Sequence, residues 1–190
     1  RASARGGDQG FAARGPDRRY AMEVDFLDAA RGGKRQITLP EGGALEVTLP
    51  RGVASGQTIR LRGKGGAGFG GGPSGAALVT ISVTSHPVME RDGNDIRVTL
   101  PITLDEAVLG ASVEAPTIDG TVKVKVPRGA SSGQTLRLRG RGVHPTGATK
   151  AGDQKIELKI VMPPTIDEDL AEFMETWRKS HGYNPRKETR

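Results

Sequence analysis

The sequence contains no cysteine, and aromatic residues make up only 4% of its 190 residues. Without cysteine the chain has no disulfide bond, no thiolate nucleophile and no zinc site with cysteine ligands. No apolar run approaches the roughly 18 residues of a membrane-spanning helix, and the first residues show no signal-peptide pattern. These absences predict a cytoplasmic protein with no membrane partner and no metal.

Glycine and proline are abundant where aromatic residues are scarce. The chain has 28 glycines and 12 prolines, and its hydrophobic share is 35%. This composition is typical of short strands and tight turns around small cores, and it disfavours a helical bundle.

Acidic residues are missing from two long stretches, although the net charge of the whole chain is only +6. Four basic residues and no acid lie between Glu46 and Glu90, and seven basic residues and no acid lie between Asp119 and Asp153. One interpretation is a strand surface kept soluble by Lys and Arg. The other is an anionic partner such as nucleic acid, for which the candidate residues are Arg60, Arg62, Lys123, Lys125, Arg137 and Arg139.

One phrase occurs twice in the chain. Residues 50–65 and 127–142 align at an offset of 77 with 12 identities in 16 positions. In the first copy a Pro-Arg-Gly turn leads through Ser-Gly-Gln into a short strand, in which Ile59 and Leu61 point inward. Two copies this far apart predict tandem modules rather than a solenoid.

Alternating apolar residues surround both copies of the phrase and predict the fold class. We expect a mainly β protein with two tandem β-sandwich or barrel-like modules, short helices and one longer C-terminal helix. The expected boundaries are a flexible linker at 1–18, a first module at 19–90, a second module at 91–163 and the helical segment at 164–190.

The C-terminal segment carries the one convincing long helix. Thr165 and Glu168 have the spacing of a capping box. An apolar stripe on one helical face follows, formed by Leu170, Phe173, Met174 and Trp177. The stripe can dock on the second module or pack against another copy of the chain, and the sequence pattern leaves both open.

No catalytic or cofactor-binding motif is complete. Residues 63–68 match the glycine spacing of a dinucleotide-binding loop, but residues 69–73 cannot begin the helix that such a site needs. His86, His144 and His181 are isolated in the sequence, so they predict neither a metal site nor a nucleophile–base pair. The sequence therefore predicts a binding protein with no cofactor, not an enzyme.

The doubled phrase resembles the C-terminal substrate-binding region of DnaJ-family co-chaperones. His86-Pro87, the Arg91-Asp92-Gly93 turn and the run from Ala115 to Gly120 carry the same resemblance, which covers about residues 19–190. Because cysteine is absent, the chain is similar to the class B, CbpA-like branch without a zinc-binding domain. The His-Pro-Asp signature of the J-domain has no match, since Val88 follows His86-Pro87. The chain by itself is not expected to stimulate the ATPase of DnaK.

The resemblance implies a homodimer formed through the C-terminal helix, with the apolar stripe as its dimerisation residues. It also implies a shallow client groove on the first module. The groove residues carried over are Tyr20, Met22, Ile37, Leu39 and Val79, with Arg35 at the rim to meet an acidic peptide tail. Without the resemblance, the five apolar positions are ordinary core residues.

The resemblance favours a holdase, which binds exposed hydrophobic segments of non-native polypeptides and, within a longer protein, delivers them to a DnaK-type chaperone. The name of the branch, curved-DNA-binding, supports an alternative: sequence-nonspecific DNA binding by the basic strands and a nucleoid-associated location. A dimeric scaffold without a client site is a third hypothesis.

Overall fold

The computed structural model describes residues 10–188; residues 1–9, the first half of the expected linker, and residues 189–190 lie outside the described residues. The strands are β1 (Arg18–Val24), β2 (Gly33–Thr38), β3 (Ala44–Leu49), β4 (Thr58–Leu61), β5 (Ala77–Val83), β6 (Met89–Asp92), β7 (Asp95–Ile102), β8 (Ala111–Thr117), β9 (Gly120–Val126), β10 (Thr135–Leu138) and β11 (Gln154–Ile160). The helices are α1 (Phe26–Arg31), α2 (Leu104–Leu109) and α3 (Glu168–His181), followed by a 3₁₀ turn at Pro185–Glu188.

The first module is a two-layer β-sandwich. In one layer β5 is central, with β1 parallel on one side and β4 antiparallel on the other. The β2–β3 hairpin forms the second layer. Alternate residues of β1, β3 and β5 point between the layers, because side chains alternate along a strand. The core between the layers includes Met22, Val24, Leu45, Val47, Leu49, Val79 and Ile81.

The second module repeats this arrangement and adds one strand. β11 lies between parallel β7 and antiparallel β10, and the β8–β9 hairpin covers them. The extra strand, β6, pairs antiparallel with the outer edge of β7. Two sandwich modules with short helices confirm the expected mainly β fold. The expected boundary between residues 90 and 91 falls inside β6, whose pairing places it in the second module.

The repeated phrase forms the connection from the hairpin to an outer strand, β4 or β10, and its turn bonds to the central strand. In the first module Ser55 Oγ accepts the N–H of Val83 at 3.1 Å. The N–H of Gly56 donates to the carbonyl of Ile81, and the N–H of Ile81 donates to the carbonyl of Gln57. In the second module Ser132 Oγ accepts the N–H of Ile160 at 2.9 Å, and Gly133 and Gln134 bond to Leu158 in the same way. The phrase is therefore repeated because each sandwich needs the same turn at the same edge.

The glycine-rich loop after the first phrase packs against residues 13–18. Ala13 and Phe69 exchange two backbone hydrogen bonds, at 3.0 and 2.8 Å. A Cβ on Gly15 would lie 2.0 Å from the carbonyl oxygen of Gly66, so only glycine permits this contact. Residues 13–18 therefore pack against the first module, although the expected linker extends to residue 18.

Three arginine side chains cross the junction between the modules and donate to main-chain carbonyl groups of the other module. The contacts are Arg31 Nε to Ile118 at 2.8 Å, Arg51 Nε to His144 at 2.7 Å, and Arg91 Nη1 to Gly52 and Val53 at 3.1 and 3.2 Å. Burial lowers the pKa of Arg91, as desolvation does for a cation. Ala30 of α1 also belongs to the core of the second module.

The C-terminal helix α3 begins at Glu168, and the expected capping box at Thr165 is wrong. Its N-cap is Asp167, whose Oδ1 accepts the N–H of Leu170 at 2.8 Å. Aspartate is a better N-cap than threonine, and Asp167 lies closer to the apolar stripe. None of the helical residues is buried.

Within residues 10–188, no helix is long and apolar enough to cross a membrane. The same residues contain no group of three histidines or carboxylates that could hold a metal ion.

Candidate functional site

The predicted groove residues separate into a core group and a half-exposed group. Val79 is 0% exposed and Met22 is 7% exposed. Val79 lies on the central strand β5 and Met22 on the inward face of β1, so both side chains belong to the core and offer little exposed surface. Their assignment to the client groove stays a prediction. Tyr20, Ile37 and Leu39 are half-buried and pack against the core from its open side. We call these three residues the rim patch.

The rim patch lies where two strands have unpaired edges. β1 is the outer strand of its sheet, and β2 pairs only with β3. The N–H of Arg18 points toward the β5 side of the sheet and donates to the carbonyl of Ala76 at 2.9 Å. Successive residues of a strand direct their backbone groups to opposite edges, so those of Arg19 and Ala21 face outward. An extended peptide can hydrogen-bond to such an edge while its side chains contact the patch.

The second module has no equivalent opening. At an offset of 78 the rim patch corresponds to buried residues, namely Val98, Ala115 and Thr117 at 2%, 0% and 4% exposure. β6 covers the edge of β7, with Met89 opposite Val98. The buried Gln154 also donates to the carbonyl of Pro116 at 2.6 Å and ties β11 to the β8–β9 hairpin. The open rim is therefore a feature of the first module alone.

A carboxylate that the sequence pattern did not single out lies beside the rim patch. Glu41, in the β2–β3 turn, accepts hydrogen bonds from the Tyr20 hydroxyl at 2.7 Å and from Arg18 Nη1 at 2.5 Å. The bond from Tyr20 is the largest cause of the lowered pKa of Glu41, and the same bond raises the pKa of Tyr20. Both directions follow because the bond favours a charged carboxylate and a neutral phenol. Tyr20 and Glu41 are 21 residues apart, and no local pattern links them.

Arg35 lies at the rim, but its charge is already paired. Its Nε and Nη2 contact the two carboxylate oxygens of Asp28 at 3.1 and 2.5 Å. This bond lowers the pKa of Asp28 and raises that of Arg35. An acidic peptide tail could therefore bind Arg35 only after the bond to Asp28 breaks.

The predicted dimerisation residues form one wall of an open apolar groove of about 970 Å³. The opposite wall comes from α2 and the segment after β11, and it contains Leu104, Val108, Leu109, Val161 and Met162. Phe173 on α3 is 62% exposed, and Leu109 on α2 is 67% exposed. The structure brings the four stripe residues to one surface. It adds the opposite wall, which the helical pattern could not reveal.

The six predicted nucleic-acid residues are distributed over both modules, on or directly after β4, β9 and β10. Arg137 is ion-paired with Asp153, and Arg60 lies 3.8 Å from Asp17. No contact among the described residues distinguishes the remaining cations from an ordinary solvated strand surface.

Two tandem sandwiches, of which only the first has an open apolar rim, define a class of mainly β proteins without a recognisable catalytic site in the described residues. The family model described as DnaJ C terminal domain matches residues 18–163. The chain belongs to this family.

The curated relatives are bacterial proteins named as chaperones. The chain is 45% identical over 137 residues to Chaperone protein DnaJ 2 of Nocardia farcinica, which covers 70% of this chain and 35% of the relative. It is 39% identical over 122 residues to Chaperone protein DnaJ of Acetivibrio thermocellus, which covers 64% of this chain and 32% of the relative. The chain thus spans about a third of the length of the relatives it matches.

Proposed function

We propose that this chain is the polypeptide-binding part of a DnaJ-type co-chaperone and that it holds exposed hydrophobic segments of non-native proteins at the rim patch. The observation that carries the proposal is the half-buried apolar rim of the first module, which lies beside unpaired strand edges. The corresponding rim of the second module is closed by β6 and by buried side chains. A client strand would take the place that β6 occupies in the second module, or the edge of β2 beside it.

Binding at this rim is expected to be weak. Complete burial of an apolar side chain contributes about 1.5–3 kcal/mol, and only part of each rim side chain remains exposed to be covered. Association itself costs about 4–15 kcal/mol. A protein with two such rims compensates through effective concentration, because the second contact with the same client is intramolecular.

We propose that a second copy of the chain fills the groove beside α3. At an offset of 78 the α1 face, Phe26, Leu27 and Ala30, corresponds to Leu104, Asp105 and Val108 on α2. The α1 face packs against the core of the second module, whereas the α2 face is open and carries the exposed Leu109 where α1 carries Arg31. A symmetric dimer would cover the open face in both copies at once.

The finer assignments rest on the same family membership and remain proposals. We place client binding in the region 19–90 and dimerisation in the helical segment 164–190. The absence of cysteine supports the branch without a zinc-binding domain. Delivery of clients to a DnaK-type partner and a cytoplasmic address are proposed for the longer protein.

The test is the fluorescence anisotropy of a labelled, permanently unfolded polypeptide titrated with the chain and with an Ile37→Ser, Leu39→Ser variant. We expect the variant to bind at least about 10-fold more weakly, since each 1.4 kcal/mol of lost apolar contact is tenfold in affinity. The matched control is Ile59→Ser, Leu61→Ser, because these side chains are half-buried against the same core from β4. The control should bind as the unmodified chain does.

Equal binding by the rim variant and the unmodified chain contradicts the proposal. Duplex DNA titrated in parallel at low and high salt tests the other hypothesis, because phosphate-dominated binding weakens steeply with salt. Tight DNA binding without a polypeptide signal would likewise overturn the client-binding function.

A further inference from the structure

Two polar bridges within the chain flank the rim patch. At one end Glu41 bonds to Tyr20 and Arg18 of β1. At the other end Arg35 of β2 bonds to Asp28 of α1. Ile37 on β2 and Leu39 directly after β2 lie between Arg35 and Glu41 in the sequence.

The Glu41 bridge is made by the same turn that presents the rim patch. Leu39 and Gly43 close this turn with a backbone hydrogen bond of 3.0 Å, and Gly42 donates back to Leu39 at 3.0 Å. Gly42 and Gly43 both have positive φ, at 95° and 86°, which favours glycine. The turn thus places the Glu41 carboxylate across the rim patch, onto the strand that forms the far side of the groove.

We propose that Glu41 is a specificity-determining residue of the client groove: an internal competitor that occupies Arg18 and the Tyr20 hydroxyl until a client displaces it. This inference rests on the proposed function and goes beyond it, because it assigns a preference for the charge of the residues that flank a client's apolar segment. Glu41 disfavours clients with acidic flanks at this end and favours clients with basic flanks.

The contacts of Glu41 with Arg18 and Tyr20 are exposed, so a client can displace Glu41. The side chains of Arg18 and Glu41 are 50% and 40% exposed, and exposed ion pairs are held only weakly. The lowered pKa of Glu41 keeps it charged at neutral pH, so the competitor is present under ordinary conditions. A client carboxylate could take over the Arg18 contact, whereas a client lysine would be attracted by Glu41 itself.

The experiment uses three synthetic peptides with one apolar core of four residues, flanked by serine, by glutamate or by lysine. Their affinities are measured for the whole chain and for Glu41→Gln. We expect Glu41→Gln to raise the affinity for the serine-flanked peptide about 2- to 5-fold. The affinity ratio of the glutamate-flanked to the lysine-flanked peptide should rise about 10-fold. Tyr20→Phe, which removes only the hydroxyl, should raise the affinity for the serine-flanked peptide in the same direction.

The matched control is Glu46→Gln, on β3 of the same hairpin. Glu46 is exposed and pairs with Lys34 at 3.1 Å, away from the groove, so its substitution should change neither the affinities nor the ratio. A general loosening of the hairpin would shift the three peptides together and leave the ratio unchanged.

An unchanged ratio in Glu41→Gln overturns the inference while the client-binding function stands, provided that Ile37→Ser, Leu39→Ser still weakens binding at least about 10-fold. Equal binding by that rim variant would instead overturn the function itself. The two failures are therefore distinguishable in one set of titrations.

Discussion

Asp153 is a single carboxylate that organises the end of the second module's central strand. Its Oδ1 accepts the N–H of Gly140 at 2.8 Å, and its Oδ2 accepts Arg137 Nε at 2.7 Å. Its own N–H bonds to Asp95 Oδ1 at 2.8 Å. The first module makes the corresponding contact between the N–H of Ala76 and Asp17 at 2.7 Å. A residue at the end of the expected linker therefore has a structural role, which local composition alone does not show.

Acidification should destabilise the chain through such carboxylates, and Asp153→Asn tests this. The N–H of Gly140 is the largest cause of the lowered pKa of Asp153 in the folded chain, and Arg137 adds to it. A depressed folded pKa stabilises the fold above the unfolded pKa of about 3.9, and this contribution is lost as the pH falls through the folded value. We expect Asp153→Asn to lower Tm at neutral pH, and we expect the difference from the unmodified chain to shrink as the pH falls below the unfolded pKa of about 3.9.

The control for this prediction is Asp119→Asn, an exposed carboxylate in the β8–β9 turn. Its substitution should leave Tm nearly unchanged at neutral pH, since surface substitutions usually alter stability by less than about 0.5 kcal/mol. A Tm difference for Asp153→Asn that is the same at pH 7 and pH 2 would contradict the electrostatic explanation.

At the scale of single elements, α3 is the helix whose apolar stripe is not buried in the single chain. An amphipathic helix of 14 residues gains most of its stability from packing its apolar face. Here the stripe faces the α2 wall across an open groove, and the Trp177 ring contacts the rings of His181 and Tyr183 in its own segment. This geometry favours the second of the two expected fates of the helix, packing against another copy.

Phe173→Glu should convert the proposed dimer to single chains, measured as a halved mass by sedimentation or light scattering. In a symmetric dimer each substitution acts twice, so the loss is about 3–6 kcal/mol from apolar burial alone. The control is Glu172→Gln, which changes an exposed polar side chain of the same helix and should leave the mass unchanged. A single-chain mass for the unmodified protein at micromolar concentration would contradict the dimer.

At the scale of the whole molecule, the two modules are joined by directional hydrogen bonds and by packing, not by a linker alone. The turn of the first repeated phrase docks on the loop after the second: the N–H of Thr146 bonds to the carbonyl of Arg51 at 2.9 Å, and Arg51 N–H bonds back to Thr146 Oγ1 at 2.9 Å. A Cβ on Gly52 would lie 2.9 Å from Cα of Pro145. The turn of the first copy therefore has a contact with the other module in addition to the bonds that it shares with the second copy.

Arg91→Met should loosen this junction, because the guanidinium is half-buried and donates to carbonyl groups of the other module. Loss of hydrogen bonds from a charged donor costs about 1.5–3 kcal/mol. We expect amide exchange at Thr146 to accelerate about 10-fold or more, while exchange at Ile81 in the first core stays unchanged. Arg62→Met, at an exposed position after β4, is the control and should affect neither amide. Unchanged exchange at Thr146 in Arg91→Met would show that Arg91 does not hold the junction.

Local sequence patterns were sufficient to predict the elements and their repetition. Alternating apolar residues predicted the strands, and β1 shows this pattern with Met22 and Val24 buried on one face. The doubled phrase predicted two modules, and the stripe from Leu170 to Trp177 predicted α3. These features are readable because they depend on neighbours within a few residues, for which side-chain direction follows from the period of the element.

Which residues of those elements are accessible, and how they are paired, depends on contacts between distant parts of the chain. Tyr20 and Val79 are both inward residues of strands, yet one is at a sheet edge and the other is central, so their exposure differs. Likewise β6 joins the second sheet, Arg35 pairs with Asp28, and Glu41 reaches Tyr20. Each of these outcomes depends on the order of strands in a layer or on a contact between distant positions. Neither is encoded in local periodicity, because hydrophobic patterning specifies which face is buried and not which neighbour covers it.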